Sequence, residues 1–342
     1  MKKLNKDIFN QYFSHIYIEK KALNHPNTKK ILSYFKSSEK VIIDHYKDIF
    51  SRSHQDFYLQ KQSPSLILAV KTDNIIYKGA RFCDDFGNVY FYYTSSMKNC
   101  IYNCEYCYLQ GMYPSADIVI FVNIEDIFNE TSALLKKHPV YLCISYDTDI
   151  LAFENVLHYA RQWINFAKKN KALKIELRTK SANFNSIEDV PPSDNVILAW
   201  TLSPDTIAKN YESKTPSLNE RLLSAKKAID KGFNVRICFD PVLYLKNWQE
   251  NYKNLIEKTF KVLPKDKIYD VSIGVFRVSS YYLKIMRKAR FDSVILNYPF
   301  ETKNKMCTYN KKLSTKMISY ISYIVSKYID KNKIYTDDFL NN

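Results

Sequence analysis

Nowhere in the 342 residues is there a run of about 18 uncharged apolar residues, so no membrane-spanning helix is predicted. The opening stretch, Met1-Lys2-Lys3-Leu4-Asn5-Lys6-Asp7, lacks the apolar centre of a secretory signal. Together these place the chain in the cytoplasm, with no membrane partner. Internal repeats and low-complexity linkers are also missing, which excludes a repeat array. Acidic residues are in deficit, 35 against 51 Lys and Arg, for a formal net charge of +16. A surplus of that size suits a polyanionic ligand such as nucleic acid, although a composition rich in Lys, Asn, Ile and Tyr and poor in glycine also produces it. The seven cysteines form no even set, and in a cytoplasmic chain metal ligation or thiol chemistry is the better expectation than a disulfide framework.

What is present is an ordinary globular balance, 46% apolar and 25% charged, enough for one large domain or a barrel with an extra lobe. Residues 1–80 are irregular and are taken as an N-terminal lobe, with a helix expected over Leu32 to Phe50 and a strand at Leu66 to Val70. From residue 81 to 342 a regular alternation begins. Strands are predicted at Val89–Tyr93, Ile118–Asn123, Val140–Ser145, Leu173–Thr179, Val196–Leu202, Val235–Phe239 and Val271–Phe276. Helices are predicted between them, including Leu218 to Lys231, stopped by Gly232, and a last one over Leu313 to Ile329. About six βα units predict parallel pairing and a partial, open (β/α)6 barrel.

The most specific motif is Cys100-Ile-Tyr-Asn-Cys104-Glu-Tyr-Cys107, on a loop that follows a predicted strand. In βα folds chemistry gathers at that end of the strands. Four thiolates would close a [4Fe–4S] cluster; three leave one iron open to a substrate or cofactor. The alternative is a structural zinc with a distant fourth ligand. Zinc sites favour paired C-x2-C knuckles, and here Cys83, Cys143, Cys238 and Cys307 stand alone.

The run Cys104-Glu105-Tyr106-Cys107-Tyr108-Leu109-Gln110 resembles the cluster loop of spore photoproduct lyases, a family within the radical S-adenosylmethionine superfamily. The likeness extends from about residue 65 to the C-terminus. It implies a partial (β/α)6 barrel of the radical S-adenosylmethionine type. It also implies a [4Fe–4S] cluster on Cys100, Cys104 and Cys107, and S-adenosylmethionine as cofactor. The expected activity is that of a carbon–carbon lyase that repairs a thymine lesion in DNA. Cys143, in Cys143-Ile144-Ser145, matches the family's hydrogen-atom donor, and Tyr106 and Tyr108 its relay. Ser145, Lys180 in Thr179-Lys180, and Thr201 match cofactor contacts. Arg277 matches an arginine that reaches DNA. A flavodoxin or ferredoxin would supply the electron, and the chain is expected to be a monomer.

Three departures stand out. Asn99 and Tyr102-Asn103 replace glycines beside the first cysteine, and Asn is the best substitute where φ is positive. An extra Tyr146-Asp147-Thr148 follows the Cys-x-Ser, leaving Asp149 or Asp147 as the family's aspartate. The C-terminal hairpin is short and lacks the Arg-Tyr pair with which the family wedges into the duplex; Lys303, Lys305 and Tyr309 are the candidates for that role. The weaker hairpin keeps two rivals in view: a radical enzyme of the same scaffold acting on a different nucleic-acid or peptide substrate, and a non-catalytic nucleic-acid-binding protein with a structural metal.

Overall fold

The computed structural model describes residues 13–80 and 83–336; the amino-terminal stretch Met1 to Asp7 lies outside them. Six strands run parallel in sequence order: Phe91–Thr94, Val140–Cys143, Leu173–Thr179, Val196–Thr201, Asn234–Val242 and Asp270–Val275. Ile76–Lys78 adds an antiparallel strand at one edge and Ile334–Thr336 a parallel one at the other. Among the described residues these two edges do not pair with each other, so the sheet is a partial barrel. Its strands are near-continuous apolar runs. Val196-Ile-Leu-Ala-Trp-Thr201, for instance, is buried throughout, as expected when both faces of a parallel sheet are covered.

Parallel neighbours need crossover connections, and three amphipathic helices on these crossovers are Tyr159–Lys169, Leu218–Lys231 and Trp248–Val262. The second starts at a capping box, with Ser217 and Glu220 satisfying each other's backbone N–H groups. It stops at Gly232, whose φ of 96° is open to glycine at little cost.

A second sheet, built mostly from residues of the predicted N-terminal lobe, has the order Glu39–Ile43, His15–Glu19, Leu66–Ala69, Ile118–Phe121, with short Met97–Lys98 at its edge. Two expectations are corrected here. The stretch from Leu32 to Phe50 is not one helix: a helix covers Pro26–Tyr34, a strand Glu39–Ile43, and a single helical turn Lys47–Phe50. The β-branched Val41-Ile42-Ile43 has a partner strand in His15–Glu19, and pairing decides the conformation of such a run. The strand at Ile118 is hydrogen-bonded to Leu66–Ala69, so it belongs to this second sheet and is no part of the barrel series.

The barrel interior is charged at one level. Arg236 donates to both oxygens of Asp270 at 2.5 and 2.6 Å, to Glu176 at 2.5 Å, and to the Tyr141 hydroxyl at 2.9 Å. Counting its own, one guanidinium thereby ties four strands together, reaching across Val196–Thr201 to do so, every donor bond charge-assisted or matched to a phenol.

Candidate active site

The cluster loop leaves the barrel after Phe91–Thr94. Asn99 turns it with a φ of 64°, and its amide donates to the Ser115 and Asp117 carbonyls, both at 2.7 Å. The left-handed residue expected beside the first cysteine is therefore Asn99, fixed by its own side chain. Asn103–Cys104 then pairs antiparallel with Glu212–Ser213, setting Cys104 opposite Glu212. Past Cys107, the short helix Leu109–Met112 lies against the helix Ser280–Ala289. A Cβ on Gly111 would meet the Tyr282 carbonyl oxygen at 2.6 Å, so only glycine permits that approach.

Cys100, Cys104 and Cys107 are free thiols, Cys104 buried and the others half-buried. Burial pushes the Cys100 thiol up to about 12, and Cys104 rises for the same reason. Two lysines offset this. Lys61 is buried, donates its ammonium to the Cys100 carbonyl and lies in the field of all three thiols. Lys180 lies in the field of Cys104 and Cys107; burial disfavours its charge, but Glu212 and Cys104 outweigh this and hold its pKa above the usual lysine value. Among the described residues no three His, Cys, Asp or Glu side chains converge on a single ion. A four-iron cluster does not ask for that, because each thiolate takes a different corner. Burial lowers the Lys61 pKa; three soft sulfur ligands on one loop, flanked by two lysines, fit such a cluster.

Beneath the loop sits a buried network absent from the motif analysis. The Tyr106 hydroxyl donates to Glu212, as does Ser203 at 2.7 Å. Arg221 pairs with the other oxygen of Glu212 at 2.5 Å, both side chains fully buried, and also donates to the Thr201 carbonyl. Burial alone would raise the Glu212 pKa, but Arg221 and Lys180 outweigh it and hold it at about 2. The Lys180 ammonium lies 5.6 Å from the centre of the Tyr106 ring. Arg221 had left one sign: a charge on the apolar face of the helix Leu218–Lys231, beside Leu218, Leu222 and Ala225.

Cys143 ends its strand in register with Tyr93 on one side and Glu176 on the other. Burial, with Glu176 adding to it, pushes its thiol up to about 12, so at neutral pH it carries its hydrogen. Tyr108 donates to the Tyr146 carbonyl at 2.6 Å, and the Tyr146 ring stacks on Tyr93 at 4.2 Å. The Ser145 hydroxyl spans to the backbone of Arg178, accepting from its N–H at 2.7 Å and donating to its carbonyl at 2.9 Å. Asp149 accepts from the Thr179 hydroxyl and the Lys180 N–H, both at 2.7 Å, whereas Asp147 accepts from Ser95. Both aspartates thus sit at strand ends, Asp149 at the end of Leu173–Thr179 and Asp147 at the end of Phe91–Thr94. Thr201 closes its strand, buried above Arg221.

The residues expected at DNA separate into two groups. Lys303 and Lys305 are exposed on a hairpin of Glu301–Lys303 and Met306–Thr308. Its tip residues, Asn304 and Lys305, have φ of 49° and 65°, the signature of a tight two-residue turn. Tyr309 is different: 2% exposed, it packs against Tyr298 and Phe300 and accepts from the Tyr244 N–H at 2.9 Å. It is a core residue with no surface to offer a phosphate. Arg277 is largely buried, its guanidinium on Asp240 at 3.0 Å. Gly274 leaves the room for this pair, since a Cβ there would lie 2.8 Å from the Arg277 nitrogen.

A family model for spore photoproduct lyase matches residues 12–336. The chain belongs to the spore photoproduct lyase family. It is 23% identical over 340 residues to the spore photoproduct lyase of Clostridium acetobutylicum (strain ATCC 824), covering 96% of this chain and 95% of that one. To the Bacillus subtilis (strain 168) enzyme it is 23% identical over 271 residues, 77% of each. Among solved structures, a cysteine-to-alanine variant of spore photoproduct lyase superposes with a TM-score of 0.80 at 14% identity, covering 95% of this chain and 98% of that one. A double variant with bound AdoMet and dinucleoside spore photoproduct gives 0.78 at 15% identity, with the same coverage. Membership of the spore photoproduct lyase family carries the radical chemistry of a [4Fe–4S] cluster with S-adenosylmethionine, and sets a structural zinc aside.

Proposed function

We propose that this chain reverses the spore photoproduct, 5-thyminyl-5,6-dihydrothymine, in DNA, restoring two thymines as a carbon–carbon lyase. The cluster and S-adenosylmethionine, when bound, supply the carbon radical that takes a hydrogen from C6 of the lesion. Cys100, Cys104 and Cys107 hold the cluster. Lys180 pairs with the carboxylate of the cofactor's methionine, with Ser145 and Thr201 beside it. Once the inter-thymine bond has broken, Cys143 gives its hydrogen atom to the product thymine. Delivery is downhill because S–H is weaker than the C–H it forms, and a thiol that burial keeps protonated is the required form. Tyr106 and Tyr108 relay a hydrogen atom from 5′-deoxyadenosine to the Cys143 thiyl, so that the hole passes back to the adenosyl carbon and neither tyrosine is left oxidised. The buried walls of the mouth exclude water and orient the lesion.

Lys303 and Lys305, on the hairpin tip, meet the DNA backbone; Arg277, held by Asp240, orients what enters the mouth. The electron comes from a flavodoxin or ferredoxin, and the chain works as a monomer in the cytoplasm. The observation that carries the reading is Cys143, in register with Tyr93 and Glu176 and on the same barrel rim as the cluster loop. The test is anaerobic turnover of dinucleoside spore photoproduct by reconstituted protein, with thymidine release expected. Formation of 5′-deoxyadenosine without thymidine would mean that a different substrate is used.

A further inference from the structure

Exposed apolar side chains gather over the outside of the cluster loop. Phe291 is 82% exposed, Val294 66%, Leu59 61% and Tyr58 42%. They come from two segments far apart in sequence, and Arg290 joins them: its guanidinium lies 5.1 Å from the centre of the Tyr58 ring. Single exposed apolar residues need no explanation, but a gathered patch marks a place where something binds. Phe291 is held outward by an ordered turn. Ser293 N–H donates to the Arg290 carbonyl at 3.2 Å, and the Asn297 amide caps the Phe291 carbonyl at 2.7 Å.

The same two segments are bolted to the cluster loop. Arg290 donates to Asn103 and, at 2.8 Å, to Gln110, and Ser293 donates to Glu105. Two residues past Leu59, Lys61 reaches the Cys100 carbonyl. The patch is therefore one side chain away from the cysteine loop on both of its flanks. Basic side chains outnumber acids around it: Arg287 and Lys288 in the last turn of the helix Ser280–Ala289, with Arg290, stand against Asp292 and against Asp56 at the start of the turn Phe57–Gln60. The patch is also distinct from the hairpin. The hairpin meets the other end of that helix, where Ser280 N–H donates to the Lys305 carbonyl at 2.8 Å, and ten helical residues span about 15 Å.

We propose that the patch of Tyr58, Leu59, Phe291 and Val294 is the docking surface for a small acidic one-electron carrier protein. The proposal rests on the proposed function above, which needs one electron delivered to the cysteine loop. The carrier is oxidised by one electron and the cluster reduced by one, with no atom transferred. A small apolar centre inside a predominantly basic rim is the form a transient electron-transfer contact takes. A DNA strand would favour a wholly basic face.

The test compares the unmodified protein with a Leu59→Ser/Phe291→Ser double variant, both with reconstituted cluster. Reduction is driven in separate arms by reduced flavodoxin, by reduced ferredoxin and by dithionite, a small reductant that needs no docking surface. Bleaching of cluster absorbance and carrier binding by surface plasmon resonance are read beside thymidine release. Expected is a fall of at least tenfold in affinity and reduction rate for one or both carriers, with dithionite-driven reduction and DNA affinity unchanged. Unchanged rates with both carriers overturn the proposal. So does an equal loss with dithionite, which would make the patch a support of the cluster loop, and so does a loss of DNA affinity, which would assign the patch to DNA. If the unmodified protein releases no thymidine with dithionite, the functional reading itself fails; cluster bleaching by the carriers still reports on the patch.

Discussion

Replacing Glu212 by Gln removes one charge from a pair with no exposure to water. The substitution keeps the volume but leaves the Arg221 guanidinium, 2.5 Å away, facing an amide in place of a carboxylate. The depression of the Glu212 pKa from 4.5 to about 2 corresponds to about 3 kcal/mol of folded-state stabilisation. That agrees with the roughly 3–5 kcal/mol lost when one partner of a buried pair is removed. For a domain whose whole stability is about 5–15 kcal/mol this is a large fraction. The apparent Tm of Glu212→Gln, measured anaerobically at a fixed scan rate, is expected to fall by roughly 4–7 °C. The sign with pH follows from the depressed value. The contribution is fully present above the unfolded carboxylate's pKa and lost as pH falls toward 2. The gap between parent and variant should therefore stay constant from about pH 5 to 8 and narrow below about pH 4.5. Replacing both partners with apolar residues, Glu212→Leu with Arg221→Met, should recover much of the loss, because no charge is left stranded. A Glu212→Gln variant within about 2 °C of the parent, or a gap that widens in acid, would refute the argument.

Changing Cys100, Cys104 and Cys107 together to Ala should abolish both bound iron, measured chemically, and formation of 5′-deoxyadenosine. Cys143→Ala should keep its iron and still abstract the first hydrogen, but thymidine yield should fall sharply, with trapped adducts of the thymine radical seen by mass spectrometry. Log affinity for DNA should fall linearly with log salt, and Lys303→Ala or Lys305→Ala should each lower that slope by about 0.9 if the residue neutralises one phosphate; titrations at several salt concentrations check this. Gly274→Ala should retain the fold by circular dichroism but displace Arg277 from Asp240, lowering lesion turnover by between about 10- and 100-fold.

The sequence alone determined the features that depend on near neighbours along the chain. The C-x3-C-x2-C spacing marks the cluster loop, because three thiolates that close together have few other uses. The alternation of apolar strands and amphipathic helices specifies the open barrel, because burial on one or two faces leaves a periodic trace. An Asn is the expected left-handed residue of that loop, with Asn99 and Asn103 both open until the structure places the positive φ at Asn99, and Gly232 marks the end of its helix locally. Tertiary structure decided whatever joins distant residues. Val41-Ile42-Ile43 became a strand only because His15–Glu19 lies beside it, and Ile118–Phe121 joined the second sheet because Leu66–Ala69 was its partner. Tyr309 went into the core and Arg277 onto Asp240; a phenol or guanidinium has no local pattern that says which surface it will meet. The Tyr106–Glu212–Arg221 network spans residues more than a hundred positions apart. Such charge pairs are set by the three-dimensional approach of elements, since a buried charge is tolerable only where the fold brings its counterion to it.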